Sequence, residues 1–154
     1  MKFSFDNQIR PANVMLVDDD PGDRELTIRA LADGPFRVDL QVLEDGEQAL
    51  DYLFRQGKFT DPNKFPMPDI ILLDLNMPKI NGREVLEKIR QNRDFNRIVV
   101  IILTTSDQES DVLHSYNLGC HSYITKPVDV SAFIQTLHQF GDYWFQLVRL
   151  PLSG

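Results

Sequence analysis

Three short apolar runs constrain the fold of this chain more than any other feature. They cover residues 14–17, 70–73 and 98–103, are rich in valine and isoleucine, and contain no polar residue. Such runs are typical of strands that are covered on both faces, as in a parallel sheet. The segments between them carry apolar residues at helical spacing, over 24–31, 47–54 and 83–89. This alternation of strand and helix predicts an α/β domain.

Two weaker strands and two further helices complete the pattern. Residues 37–42 alternate polar and apolar side chains, and 122–124 form a short segment that is followed by Lys126-Pro127. A fourth helix is predicted over 107–118, ended by Gly119, and a fifth begins near Val130. We therefore predict a flavodoxin-like α/β fold, a doubly wound five-stranded parallel sheet of order 2-1-3-4-5 with five helices.

The length of 154 residues favours one domain. We expect it to span 13–150, with an N-terminal arm over 1–12 and a C-terminal tail over 151–154.

The net charge of -7 argues against nucleic acid and anionic membranes as partners. No apolar run is long enough to cross a bilayer and the N-terminus lacks a signal peptide's apolar core, which predicts a cytoplasmic protein. The single cysteine, Cys120, is interpreted as a half-buried structural residue.

Acidic residues follow two of the predicted strands directly. Asp18 and Asp19 come after the first strand, and Asp74 comes after the third. In the predicted strand order these two carboxyl ends flank the crevice where the chain reverses direction. Two carboxylates about 4 Å apart repel by roughly 4 kcal/mol at an effective dielectric of 20, so the crevice favours a cation. Ligands that are all oxygen favour Mg²⁺, and Asp74 at the strand end could attack a phosphorus atom beside it.

Asp20 belongs to the same acidic run but has a structural interpretation. It precedes Pro21, and an aspartate N-cap followed by proline, with Asp23 three residues on, is a typical helix start. We therefore assign Asp20 to helix capping rather than to the metal site.

Four motifs together resemble the receiver domain of two-component response regulators. They are VMLVDDD at 14–20, ILLDLNMPKING at 71–82, VIILTTS at 100–106 and GCHSYITKP at 119–127. The resemblance covers nearly the whole chain. It implies that Asp74 accepts a phosphoryl group from a histidine kinase, with Mg²⁺ as cofactor.

The resemblance also implies the role of each metal ligand. Asp19 would bind Mg²⁺ directly, Asp18 through a water molecule, and Asp74 together with the backbone carbonyl of Asn76 would complete the protein's share of the coordination shell.

Four further roles follow from the same family pattern. Thr104 would donate a hydrogen bond to the phosphoryl group, and Lys126 would pair with its oxygens. The Lys126–Pro127 bond is expected to be cis, although only about 5–6% of such bonds are cis in general. Tyr123 resembles the aromatic switch that turns inward when Thr104 moves; ordinary strand packing is the alternative.

The C-terminal stretch, 122–151, resembles single-domain regulators that partner phytochromes. A bacteriophytochrome is therefore a candidate kinase. Apolar residues remain after one helical face is filled, which predicts a homodimer through the fourth helix, the fifth strand and the fifth helix. The predicted partner-facing residues are Tyr143, Trp144, Phe145 and Val148. The alternative is that the fifth helix folds its own tail over the sheet.

Residues 56–68 contain one glycine and three prolines and cannot extend the preceding helix. We interpret them as a tolerated surface insertion, with a partner contact as the alternative.

Two other functions use the same residue types. A haloacid-dehalogenase-type phosphatase needs a general acid two residues after its nucleophile, where this chain has Asn76. A receiver-like binding module would have lost an acid, Thr104 or Lys126, and all are present. A signalling switch with output through protein contact or a phosphorelay, rather than an enzyme acting on other substrates, remains the preferred interpretation.

Overall fold

The structure is a computed structural model that describes residues 11–34, 38–105, 119–120 and 122–138. Its strands are β1 (Ala12–Val17), β2 (Val38–Leu43), β3 (Ile70–Asp74), β4 (Val99–Thr104) and β5 (Ser122–Thr125). Its α-helices are α1 (Pro21–Ala32), α2 (Gly46–Leu53), α3 (Gly82–Arg90) and α4 (Val130–His138), and a 3-10 turn covers Arg93–Phe95. The predicted helix over 107–118 lies outside the described residues.

The five strands form one parallel sheet in the order β2-β1-β3-β4-β5, so the predicted topology is confirmed. Its interior strands are apolar on both faces because each face has its own core. Met15 and Leu73 belong to the core on the side of α2 and α3. Leu16 and Leu72 belong to the core on the side of α1 and α4. The uninterrupted apolar runs of the sequence reflect this double burial.

Side-chain caps fix the helix starts next to the carboxyl ends of the strands. Asp20 caps α1 by accepting a hydrogen bond from the backbone N–H of Asp23 at 2.9 Å, as the sequence predicts. Asn81 and Glu84 form a reciprocal capping box at the start of α3. These caps set where the chain leaves the crevice and turns back over the sheet.

The segment 56–68 forms a largely exposed loop, as the sequence predicts, but it also contributes a residue to the core. Phe59 is only 4% exposed and lies in the core beside α2 and α3. Its ring centroid is 5.2 Å from that of Tyr52 and 5.0 Å from that of Phe65. The Tyr52 hydroxyl donates a hydrogen bond of 2.7 Å to the carbonyl of Pro66. An aromatic cluster therefore holds the loop against the amino ends of the strands.

Within the described ranges, no helix has both the length and the apolar character needed to cross a membrane.

Candidate functional site

Three carboxylates meet at the carboxyl ends of β1 and β3. The strands pair in register at Val17 and Leu73, so the residues that follow each strand become neighbours. One oxygen from each of Asp18, Asp19 and Asp74 can be chosen so that all three lie within 4.8 Å of one another. Asp18 and Asp74 are buried, whereas Asp19 is exposed. The structure thus brings together the three acids that the sequence places at this edge.

Backbone amides orient the two buried carboxylates. The Asp20 N–H donates to Asp18 Oδ1 at 3.0 Å, and the Asn76 N–H donates to Asp74 Oδ1 at 3.2 Å. Both bonds close short loops of two residues, so they follow directly from the turns after β1 and β3. The Oδ2 atom of each carboxylate faces the ammonium of Lys126.

The ammonium of Lys126 contacts three carboxylates at once. Its Nζ atom lies 2.9 Å from Asp18 Oδ2, 3.1 Å from Asp23 Oδ2 and 3.4 Å from Asp74 Oδ2. The side chain is only 6% exposed. The Lys126–Pro127 peptide bond is cis. The Lys126 N–H donates to the carbonyl of Thr104 at 2.7 Å, which joins the start of this turn to the end of β4.

Thr104 lies at the same edge of the sheet as the acids. Leu103 is paired with Asp74 across β3 and β4, and Thr104 is the next residue and is buried. Tyr123 lies on β5 and is 42% exposed, so its ring faces solvent to a large extent. The predicted partner-facing residues Tyr143, Trp144, Phe145 and Val148 lie outside the described residues.

Burial dominates the electrostatics of Asp74. It raises the pKa of this carboxyl from an ordinary 3.8 to about 7, with the charge of Lys126 opposing the rise and that of Asp18 adding to it. For Lys126, burial alone would lower the pKa, but the carboxylates of Asp18, Asp74 and Asp23 outweigh it, and the pKa is raised. Lys126 therefore keeps its positive charge at neutral pH. In the metal-free protein, Asp74 exchanges between its charged and neutral forms near pH 7.

The residues fit a hard divalent cation. Asp18 Oδ2 is buried and accepts no hydrogen bond from the described part of the chain, although Lys126 forms a salt bridge with it. The Lys126 ammonium offsets the charge of only one carboxylate, so the three clustered acids retain negative charge that a cation would neutralise. The donors at this point are carboxylate oxygens from Asp18, Asp19 and Asp74, which are ligands that Mg²⁺ and Mn²⁺ accept.

Two residues that the structure places at the site are not assigned to it in the sequence analysis. Asp23 is interpreted there only as part of a helix start, yet its carboxylate contacts Lys126. Arg24 donates from Nη1 to the carbonyl of Asp18 at 2.9 Å and so fixes the end of β1. The available signal is positional, because the first turn of a helix that follows a parallel strand lies at the same edge as the crevice.

Comparison with known proteins places this site in a family. The family described as "Response regulator receiver domain" matches residues 14–138. The response regulator Rcp1 of Synechocystis sp. is 38% identical over 143 residues, which cover 93% of this chain and 95% of Rcp1. The Mn²⁺-bound form of Rcp1 superposes with a TM-score of 0.69, covering 92% of this chain and 100% of that one.

Two other solved structures are similar along most of their length. The bacteriophytochrome response regulator RtBRR is 42% identical with a TM-score of 0.79, covering 86% of this chain and 79% of RtBRR. The phosphorylated cyanobacterial phytochrome response regulator RcpA is 36% identical with a TM-score of 0.71, covering 93% of this chain and 100% of RcpA. With the fold, the three acids and the lysine in place, the chain belongs to the response regulator receiver domain family.

Proposed function

We propose that this domain is a phosphorelay switch that accepts a phosphoryl group on Asp74 from a phosphohistidine of a histidine kinase. A carboxylate oxygen of Asp74 forms a bond to phosphorus while the bond between phosphorus and the imidazole nitrogen breaks, and the electron pair stays with the imidazole. The observation that carries the proposal is the contact of the Lys126 ammonium with both Asp74, at the end of β3, and Asp18. Water would later hydrolyse the acyl phosphate.

Two residues of this chain would stabilise the transferred group. Lys126 is a fixed cation 3.4 Å from Asp74 Oδ2, so the oxygens of a phosphoryl group on Asp74 would lie within its reach. Thr104 ends the neighbouring strand at the same edge and would donate its hydroxyl to the same oxygens. In this proposal the inward movement of Thr104 would be accompanied by the turn of Tyr123, which is exposed before phosphorylation.

Mg²⁺ is the proposed cofactor, held directly by carboxylate oxygens of Asp19 and Asp74 and by the backbone carbonyl of Asn76, and through a water molecule by Asp18. When bound, it would neutralise negative charge on the phosphoryl oxygens and on the crowded carboxylates. The three carboxylate oxygens that lie within 4.8 Å of one another support a cation at this point. The Mn²⁺-bound form of the relative Rcp1 supports it as well.

Incubation with acetyl phosphate and Mg²⁺, followed by intact-mass measurement, tests the assignment of Asp74. The wild-type protein should gain one phosphoryl group, and Asp74→Asn should gain none. Asp20→Asn is the matched control, because asparagine also caps helices and Asp20 is assigned to capping rather than to the crevice chemistry. Phosphorylation of Asp74→Asn, or no phosphorylation of the wild type, would contradict the proposal.

The partner is proposed to be a histidine kinase of the phytochrome type, in the cytoplasm. The support is the similarity of this chain to RtBRR, a bacteriophytochrome response regulator, and to RcpA, a cyanobacterial phytochrome response regulator. Phosphorylation by a purified bacteriophytochrome kinase that exceeds phosphorylation by an unrelated kinase would support this choice, and equal rates would contradict it. The net charge of -7 argues against nucleic acid as a partner.

A homodimer through segment 107–118, β5 and the C-terminal helix is proposed as the form that contacts the output partner. Its support within the described residues is Tyr123, a large apolar side chain on β5 that is 42% exposed. The remaining predicted residues are Tyr143, Trp144, Phe145 and Val148. Analytical ultracentrifugation at micromolar concentration should show a dimer, and a monomer would contradict this part of the proposal.

A further inference from the structure

Lys126 has a carboxylate partner that is neither the proposed phosphoacceptor nor a proposed metal ligand. Asp23 Oδ2 lies 3.1 Å from the Lys126 Nζ atom and forms a hydrogen bond with it across 103 positions of the chain. Asp23 stands in the first turn of α1, where the cap of Asp20 holds its backbone N–H. The helix start therefore fixes the backbone of Asp23, from which this carboxylate reaches the lysine.

The three contacts of Lys126 differ in what happens to them during the proposed reaction. Asp18 and Asp74 face the proposed metal and the phosphoryl group, so their charge would be shared with other groups. Asp23 is 35% exposed at the rim of the crevice and has no such competitor within the described residues. Its attraction for the Lys126 ammonium would persist through every state of the site.

We propose that Asp23 is a positioning residue that holds the Lys126 ammonium toward α1 and competes with the phosphoryl group for it. This inference rests on the proposed phosphoryl transfer to Asp74. A phosphoryl oxygen on Asp74 must draw the ammonium away from Asp23 or share it, because the lysine is already in contact with both carboxylates. Asp23 thereby weakens the pairing of Lys126 with the phosphorylated state.

Removing the charge of Asp23 should therefore change two rates in opposite directions. Without the Asp23 charge, the Lys126 ammonium can bind the phosphoryl oxygens of acetyl phosphate more strongly. Phosphorylation by acetyl phosphate should therefore become faster. The loose transition state of hydrolysis carries less charge on those oxygens than the acyl phosphate does, so a tighter lysine contact should slow hydrolysis. We expect each rate of Asp23→Asn to change by about threefold, because the pair is partly exposed.

The experiment measures both rate constants by intact mass for the wild type and for four variants. Asp23→Asn and Asp23→Ser both remove the charge, and the serine variant serves if the asparagine variant does not fold. Asp23→Glu keeps the charge and should restore both rates to within about twofold of the wild type. Glu25→Gln removes an acid from the same helix that pairs with Arg29 rather than with Lys126, and it should change neither rate. Unchanged rates in the neutral variants of Asp23, or equal changes in Glu25→Gln, would overturn the inference.

A second measurement separates this inference from the proposed function. The Lys126 ammonium resonance, assigned by its absence in Lys126→Arg, should shift in Asp23→Asn and stay in place in Glu25→Gln. If the wild type takes no phosphate from acetyl phosphate, the proposed function fails while this resonance still reports whether Asp23 positions the lysine. A resonance that Asp23→Asn leaves unmoved would refute the positioning role by itself.

Discussion

Gly82 packs directly against the backbone of Asp74. A Cβ atom at position 82 would overlap the carbonyl oxygen of Asp74 and would lie 2.8 Å from the Cα atom of Leu75. The Gly82 N–H also donates a hydrogen bond of 3.0 Å to the carbonyl of Leu75. The start of α3 thus fixes the backbone that carries Asp74, and only glycine permits so close an approach.

Gly82→Ala should destabilise the protein by about 2 kcal/mol or more, although alanine normally favours a helix by about 1 kcal/mol relative to glycine. The clash involves backbone atoms, which cannot move aside without shifting Asp74. Urea denaturation measures the loss of stability, and intact mass after acetyl phosphate treatment should show slower phosphorylation. Gly22→Ala is the control, because its nearest neighbour would be a side-chain oxygen of Asp20 at 3.3 Å, and it should change the stability by less than about 0.5 kcal/mol. Equal effects of the two substitutions would contradict the argument.

Asp74 should make the metal-free protein less stable at alkaline pH. Burial raises its pKa in the folded state to about 7, above the ordinary value of 3.8, so the folded state holds this proton more tightly than the unfolded state. The resulting stabilisation is complete below pH 3.8 and is lost as the pH rises through about 7. With a chelator present, Asp74→Asn should exceed the wild type in unfolding free energy by roughly 2–4 kcal/mol at pH 8.

The same comparison at pH 5 provides the control for that prediction. Most of the difference between Asp74→Asn and the wild type should disappear there, because Asp74 is protonated in the folded state. Titrating groups that do not interact with Asp74 are common to both proteins and cancel in the difference, and Lys126 stays charged at both pH values because its pKa is raised. An advantage of the asparagine variant that stays constant between pH 5 and pH 8 would contradict the assigned pKa.

Asp19 and Asp20 are neighbours in sequence but should differ in their effect on metal affinity. Asp19 belongs to the group of three carboxylates, whereas Asp20 caps α1. Asp19→Asn should weaken Mg²⁺ binding by about tenfold or more, since even residues outside the coordination shell can have effects of this size. Asp20→Asn should leave the affinity within about twofold of the wild type. Isothermal titration with Mg²⁺, or with Mn²⁺ as a tighter-binding substitute, measures both, and equal losses would show that the two carboxylates are not distinguished as proposed.

The sheet was predictable because its signal is local and repeated. Each interior strand is buried on both faces, so β3 and β4 appear in the sequence as uninterrupted apolar runs, and the acids after β1 and β3 mark the crevice. The boundaries shift by only a residue or two, for example from 98–103 to Val99–Thr104 for β4. The helix start at Asp20 could also be predicted, because capping involves residues that are close in sequence.

The parts that the sequence did not reveal depend on contacts between distant residues. The pairing of Asp23 with Lys126 requires knowing how the first turn of α1 faces the turn after β5. The close approach of Gly82 to Asp74 depends on the path of a loop that contains Lys79 at a positive φ of 63°. The burial of Phe59 could not be read from its neighbourhood, because the surrounding glycine and prolines carry the signature of a loop.

The aromatic cluster of the 56–68 loop should contribute to stability but not to phosphoryl chemistry. Phe59→Ala removes a buried ring between Tyr52 and Phe65 and should cost about 3–5 kcal/mol of unfolding free energy. Tyr52→Phe keeps the ring and removes only the hydrogen bond to the carbonyl of Pro66, so it should cost about 1 kcal/mol. The exposed Thr60 next to Phe59 provides a control, and Thr60→Ala should stay within about 0.5 kcal/mol.

The position of this loop predicts that its substitutions leave the crevice intact. The loop leads into the amino end of β3, whereas Asp74 lies at the carboxyl end of the same strand. Well below the melting temperature, Phe59→Ala should therefore be phosphorylated by acetyl phosphate at a rate within about twofold of the wild type. Urea denaturation and intact mass on the same samples measure the two properties separately. A large fall in phosphorylation rate in a sample that is still fully folded would mean that the loop is coupled to the crevice through the core that Phe59 and β3 share.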